Sequence, residues 1–244
     1  MRFDSKGLIL AFALGSLLAG GCRKGVLPND EDMMNSPEGR ACPPAEGMVD
    51  NCEDNNNQVM VQAGRGGYMY TFVDKEGSTV TPKSGEAGGI FECSPGGAQG
   101  SKFALRITGS IGTAEIVYAG MGLNLVEPKG PYDASKYGGI GFWAKKGPGS
   151  TGKVRMKVPD KNTDPAGGIC GECFNDFGID LTFSDEWEYF VVPWYKMSQQ
   201  KGWGSPKVAE IDASTIMGIQ FQVNDKGRNY DIWVDDLQFT GCGG

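Results

Sequence analysis

The chain has 244 residues, a formal net charge of −7, 39 glycines, seven cysteines and no histidine. A net acidic chain repels a phosphate backbone, which argues against nucleic acid as a partner. The missing imidazole excludes Ser-His-Asp triads, Cys-His dyads and histidine metal sites together.

In chain order, residues 1–21 come first: Met1, Arg2 and Lys6, then the apolar run GLILAFALGSLLAGG ahead of Cys22. The run is shorter than the ~20 residues a bilayer span needs. Its basic start and small-residue end are those of an export signal. Ala19-Gly20-Gly21-Cys22 resembles the lipobox of bacterial lipoproteins, in which the cysteine is lipidated and becomes the anchored N-terminus, although Ala19 stands where such boxes usually carry Leu, Val or Ile. The alternative is an ordinary secretory signal cut near Gly20. Both readings export the protein, either to the cell envelope, held to the membrane by lipid on Cys22, or as a secreted chain.

Export sets the redox context for Cys42, Cys52, Cys93, Cys170, Cys173 and Cys242, an even set suited to disulfides whose pairing spacing alone does not fix. Residues 22–62 are rich in Pro, Asn, Asp, Glu and Gly and read as a flexible tether, with Cys42 and Cys52 candidates to close a small loop inside it. From residue 63 to 244 the pattern changes to short β-rich runs between turn residues. Strands are expected near 68–73, 103–108, 114–118, 139–145, 153–158, 178–183, 187–193, 216–223 and 230–239. Short strands with turn signals and no convincing helix specify an all-β domain, a sandwich or barrel.

Two motifs interrupt the strands. DKNTDPAGG, from Asp160, imitates the start of a calcium-binding EF-hand loop but places Pro165 where that loop needs glycine. ICGECFNDFG sets Cys170 and Cys173 two residues apart. Zinc would want two further ligands and a thioredoxin-like site a βαβ setting. A local disulfide stiffening a long loop is therefore expected.

Alternation separates the strand faces. Ile140, Phe142, Ala144, Val154, Met156, Val158, Ile219, Phe221, Val223, Ile232 and Val234 form a consistent aliphatic and aromatic core set. Trp143, Arg155, Lys157, Gln220, Gln222, Asn224 and Trp233 point the other way, and would make one polar-aromatic surface if their strands shared a sheet. Sugars present flat C–H patches and many hydroxyls, so an aromatic platform flanked by amides and charges suits a glycan. Asp180, Asp185, Glu186 and Glu188 could serve a glycosidase, which needs two carboxylates across a cleft, but no motif pairs them; non-catalytic binding is expected.

The blocks YDASKYGGIGFWAKKG, VRMKVPD, FGIDLTFSDEWEYFVVPW and IDASTIMGIQFQVNDKGRNYDIWVDDLQF resemble family 11 carbohydrate-binding modules and the related complex I intermediate-associated protein 30 fold, over about residues 66–242. The resemblance implies a galactose-binding-like jelly roll that binds polysaccharide on a concave sheet, with Trp143, Arg155, Lys157, Gln220, Gln222 and Trp233 on that kind of face. Family 11 clefts are usually rich in tyrosine, and Tyr189 and Tyr230 are the candidates near these strands. Such sandwiches often carry a structural calcium tying the first strand region to the last, for which Asp74, Glu76, Asp235 and Asp236 are oxygen ligands. A monomer is expected. The complex I assembly relatives offer the rival role, a protein-interaction or envelope-scaffold module.

Overall fold

The computed structural model describes residues 27–85 and 89–242. The signal run and Cys22 lie outside the described residues. In chain order the elements are two single helical turns, α1 (Glu31–Met34) and α2 (Pro44–Gly47), then β1 (Met48–Asp50), β2 (Met69–Val73), β3 (Ser94–Pro95), β4 (Phe103–Ser110), β5 (Ala119–Asn124), β6 (Gly139–Lys146), β7 (Lys153–Val158), β8 (Phe177–Thr182), β9 (Glu188–Pro193), β10 (Gly218–Val223) and β11 (Asn229–Thr240).

The strands form two antiparallel sheets packed face to face as a jelly-roll sandwich. The first runs β3-β4-β11-β6-β9, with β1 added along the end of β11; the second runs β2-β5-β10-β7-β8. The alternating apolar residues meet between them. Phe142 on β6 stacks on Phe190 of β9 at 5.6 Å and meets Phe221 of β10 edge-on at 5.0 Å, joining the two layers. Every residue of the expected core set is buried. In β11 the inward positions are Ile232 and Val234, then Leu237 and Phe239. The change of parity reflects a bulge between Asp235 and Gln238, where Asp236 takes a φ of 47°.

Eight expected strands fall on observed ones. The ninth does not: residues 114–118 form turns, and the strand is β5, AGMGLN, just beyond. Alternate glycines in β5 removed the β-propensity signal. β1 and β3 are too short to have shown any pattern.

The expected tether needs correction. From about residue 40 onward this segment is built into the sandwich. Ala41 bridges Thr240, β1 pairs with β11, and Cys42, Val49, Cys52 and Val59 are buried with the core. Arg65 holds the arm from below, donating from Nη2 to the carbonyls of Glu46 and Met48 while its guanidinium lies 5.5 Å from the Phe239 ring. The polar composition was misleading because a few apolar residues and two disulfides carry the packing. Cys42 and Cys52 do not pair with each other. Cys42 joins Cys242 and Cys52 joins Cys93, whereas Cys170 and Cys173 pair as expected.

Candidate functional site

The polar-aromatic surface expected from alternation is divided between the two sheets, and hence between opposite outer faces of the sandwich. Trp143 and Trp233 belong to β6 and β11 in the first sheet; Arg155, Lys157, Gln220 and Gln222 belong to β7 and β10 in the second. Alternation says which way a side chain points relative to its own sheet, and nothing about which sheet its strand joins.

On the first sheet Trp187 and Trp233 are packed against cations and Trp143 against a tyrosine. The Arg106 guanidinium lies 4.3 Å from the Trp233 ring and is itself held by two hydrogen bonds to Asp231. The Lys145 ammonium sits 5.1 Å from Trp233 and 4.9 Å from Trp187, while Trp143 tilts against Tyr189 at 5.3 Å. Trp233 is 9% exposed. Its ring is occupied by its own neighbours, which is a stabilising use of an aromatic. Tyr189 faces this layer too, and burial pushes its phenol up to about 12. Tyr230 is buried and donates to the carbonyl of Thr79.

The outer face of the second sheet is different. Its register places residues in rows across the strands. One row is Tyr70, Gly122, Gln220, Lys157 and Gly178; the next is Phe72, Gly120, Gln222, Arg155 and Asp180. Reading down the columns gives an aromatic strand, a glycine strand, an amide strand and a basic strand side by side. The glycines have a geometric purpose. A Cβ on Gly120 would lie 2.4 Å from the Phe72 ring, and one on Gly122 would lie 2.9 Å from both Tyr70 and Gln220. The two rings therefore fold over bare backbone. Tyr118 extends the line: successive ring centroids from Tyr70 to Phe72 to Tyr118 are 6.3 and 6.2 Å apart, with tilts of 46° and 48°. The result is a gently curved aromatic strip.

Polar groups are aimed along the strip. Gln220 Nε2 donates to Tyr70 Oη at 2.8 Å, and burial raises the Tyr70 phenol above its ordinary value, so it stays protonated. Lys157 is ion-paired with buried Asp176 at 2.8 Å and lies 3.4 Å from Gln222 Oε1. Arg155 donates to Asp180 and to the carbonyl of Ser198. At the end of this sheet where β5 finishes and β8 begins, Asn124 Oδ1 and Asp176 Oδ1 are buried with no protein donor. Buried acceptors of this kind call for a hydrogen-bond partner.

Four of the six expected ligand-binding residues, Arg155, Lys157, Gln220 and Gln222, are thus brought together, and Trp143 and Trp233 are not. Sequence reasoning missed Tyr70, Phe72 and Tyr118. The signal was present: in YMYTFV, Tyr68, Tyr70 and Phe72 alternate with Met69 and Thr71.

The expected calcium ligands do not converge. Asp74 ends the second-sheet strand β2 and is used locally, Oδ1 accepting from the backbone N–H groups of Glu76 and Ser78, and Oδ2 from that of Tyr118. Asp235 and Asp236 lie in the first sheet, beside Asp50. Among the described residues no three acidic or cysteine side chains group as a cation site. Asp160 organises its own loop, accepting from Asn162, Thr163 and the Asp212 N–H. The four carboxylates considered for glycoside hydrolysis are likewise scattered. Asp180 pairs with Arg155 on the second sheet, Asp185 and Glu186 lie in the turn between β8 and β9 with Asp185 paired to Lys146, and Glu188 starts β9 on the first sheet.

No protein-family model matches the chain, and no curated protein matches its sequence. Solved structures do match. A family 11 carbohydrate-binding module from Clostridium thermocellum, in complex with a β-1,3-1,4-mixed-linked tetrasaccharide, superposes with a TM-score of 0.54 at 19% identity, covering 81% of this chain and 98% of that one. The family 11 module of a cellulosomal cellulase of Clostridium thermocellum gives a TM-score of 0.52 at 15% identity, covering 77% and 92%. At such identities the likeness establishes the fold: this chain is a β-sandwich of the carbohydrate-binding-module type.

Proposed function

We propose that this β-sandwich binds polysaccharide without cleaving it, along the outer face of its second sheet. One observation carries the reading: an aromatic strip of Tyr70, Phe72 and Tyr118 runs parallel to the amides of Gln220 and Gln222 on a single sheet face. The rings offer faces to the C–H patches of successive sugars. The amides reach the hydroxyls, over a floor formed by Lys157 and Arg155, which are buried in their ion pairs with Asp176 and Asp180. The fold shared with the family 11 modules supports carbohydrate as the ligand class. A non-catalytic role follows from the same arrangement, in which acidic side chains are tied to basic partners and do not face each other across the strip.

The protein is exported in this reading and held in the bacterial envelope by lipid on Cys22. The support is its three disulfides, which persist in oxidising compartments, together with the signal-like leader.

The test is affinity electrophoresis and pull-down on cellulose, mixed-linked β-1,3-1,4-glucan, mannan and xylan. Tyr70→Ala, Phe72→Ala and Gln222→Ala are each expected to weaken retention about tenfold, while Trp143→Ala leaves it unchanged. Loss with Trp143→Ala and none with Phe72→Ala would move the site to the first sheet. A wild-type chain retained by no polysaccharide would favour the protein-interaction reading.

A further inference from the structure

Past the start of β8 lies a stretch of exposed apolar side chains: Ile169 at 49% exposure, Phe174 at 60% and Trp203 at 38%. They come from the loop 159–176 between β7 and β8 and the loop 194–217 between β9 and β10, which are laced together. Glu172 and Ser205 bridge through their backbones. Asn175 is the hub: its Nδ2 donates to the carbonyls of Gln200 and Trp203, and its Oδ1 accepts from the Gln200 N–H. The Trp203 indole N–H donates to Gln200 Oε1, which fixes the ring.

Phe174 is held at a φ of 74°, a region bulky side chains rarely adopt. Its N–H donates to the Thr163 carbonyl at 2.8 Å, and the Cys170–Cys173 disulfide immediately precedes it. A large apolar ring kept in solvent on strained backbone opposes folding twice over. Strain of this kind collects at ligand clamps.

The loops are also tied to the outer face of the second sheet. Asp176, two residues after Phe174, is the partner of Lys157 on that face. Ser198 pairs with Gly178 along the β8 edge and accepts from Arg155 Nη2. The pair of loops therefore borders that face at its β8 edge, with the aromatic strip on β2 at the other.

We infer that Phe174 and Trp203 are a second glycan contact beyond the sheet, engaged only by a chain longer than the sheet face holds. This rests on the sheet-face reading above.

Calorimetry with mixed-linked β-1,3-1,4-glucan polymer and with its tetrasaccharide tests both. Trp203→Ala and Phe174→Gly are expected to weaken the polymer about fivefold or more while leaving the tetrasaccharide within about twofold. Glycine accepts the left-handed φ, so Phe174→Gly is expected to keep or raise the Tm, which separates lost contact from lost fold. Unchanged polymer affinity in both variants would overturn the inference and leave the sheet-face site standing. Equal losses for polymer and tetrasaccharide would also overturn it, placing the loops in the same subsite as the sheet. A wild type that binds neither probe would overturn the sheet-face reading for this glucan, and the inference with it.

Discussion

Replacing Cys42 and Cys242 with serine is expected to lower stability by about 3–5 kcal/mol and to make residues 27–47, ahead of the Cys52–Cys93 disulfide, susceptible to protease. The disulfide joins positions 200 residues apart, and loop-closure entropy grows with the length of chain enclosed. Ahead of the buried Val49 and the Cys52–Cys93 disulfide, the residual hold on the arm is modest. β1 has three residues, Ala41 adds one bridge, and Arg65 supplies the two carbonyl contacts to Glu46 and Met48. Thermal unfolding and limited proteolysis of the double variant check this; an unchanged Tm with an intact arm would refute it.

Stability is also expected to fall as pH rises from about 4 to about 8. Asp50 and Asp235 lie together where β1 meets β11, each 2% exposed. Burial pushes both carboxyls up from 3.8 to about 7, with Asp54 and Asp235 adding repulsion at Asp50, and Asp236 at Asp235. Asp236 is raised as well, by burial and by Glu53. Their backbone contacts pull the other way: Asp50 accepts from the N–H groups of Cys52 and Met60, and Asp235 from that of Ala98. The sign follows from proton counting. Between the unfolded value near 4 and the folded value near 7, the folded chain holds protons that the unfolded chain has released, so stability falls with rising pH across that window. For Asp50 the full displacement is worth about 4 kcal/mol, on the order of half the stability of a small domain. Below the window the slope reverses. Asp212 is lowered to about 2 by Lys161 and Ser214, and Asp225 is lowered by Thr151; these contribute stability above about pH 4 that is lost as they protonate. The Tm is expected to peak near pH 4–5. Asp50→Asn should flatten the descent toward pH 8, and a Tm that stays level or rises from pH 5 to 8 would contradict the account.

Much of the sandwich could be read from residue alternation. The inward set of β6, β7, β10 and β11 is the core that the structure shows, because side-chain direction in a strand is a local property with a period of two. The amides and cations on the outer face of the second sheet were legible for the same reason. β5 was not. Its glycines at 120 and 122 read as turn residues, and their role is visible only once Tyr70 and Phe72, some fifty residues earlier in the chain, are laid over them.

The sequence by itself determined an all-β chain rich in disulfides, the Cys170–Cys173 pairing, and which side chains of each strand face outward. Tertiary structure decided the rest: which strands share a sheet, that Trp233 packs against Arg106 and Lys145 and Trp143 against Tyr189 while Tyr70, Phe72 and Tyr118 line the outer face of the other sheet, and that the polar arm is bolted to the last strand by Cys42–Cys242. The division has a physical origin. Facing is set by the local backbone, whereas strand partnership and disulfide pairing are set by contacts between residues far apart in the chain, whose identity no local pattern encodes.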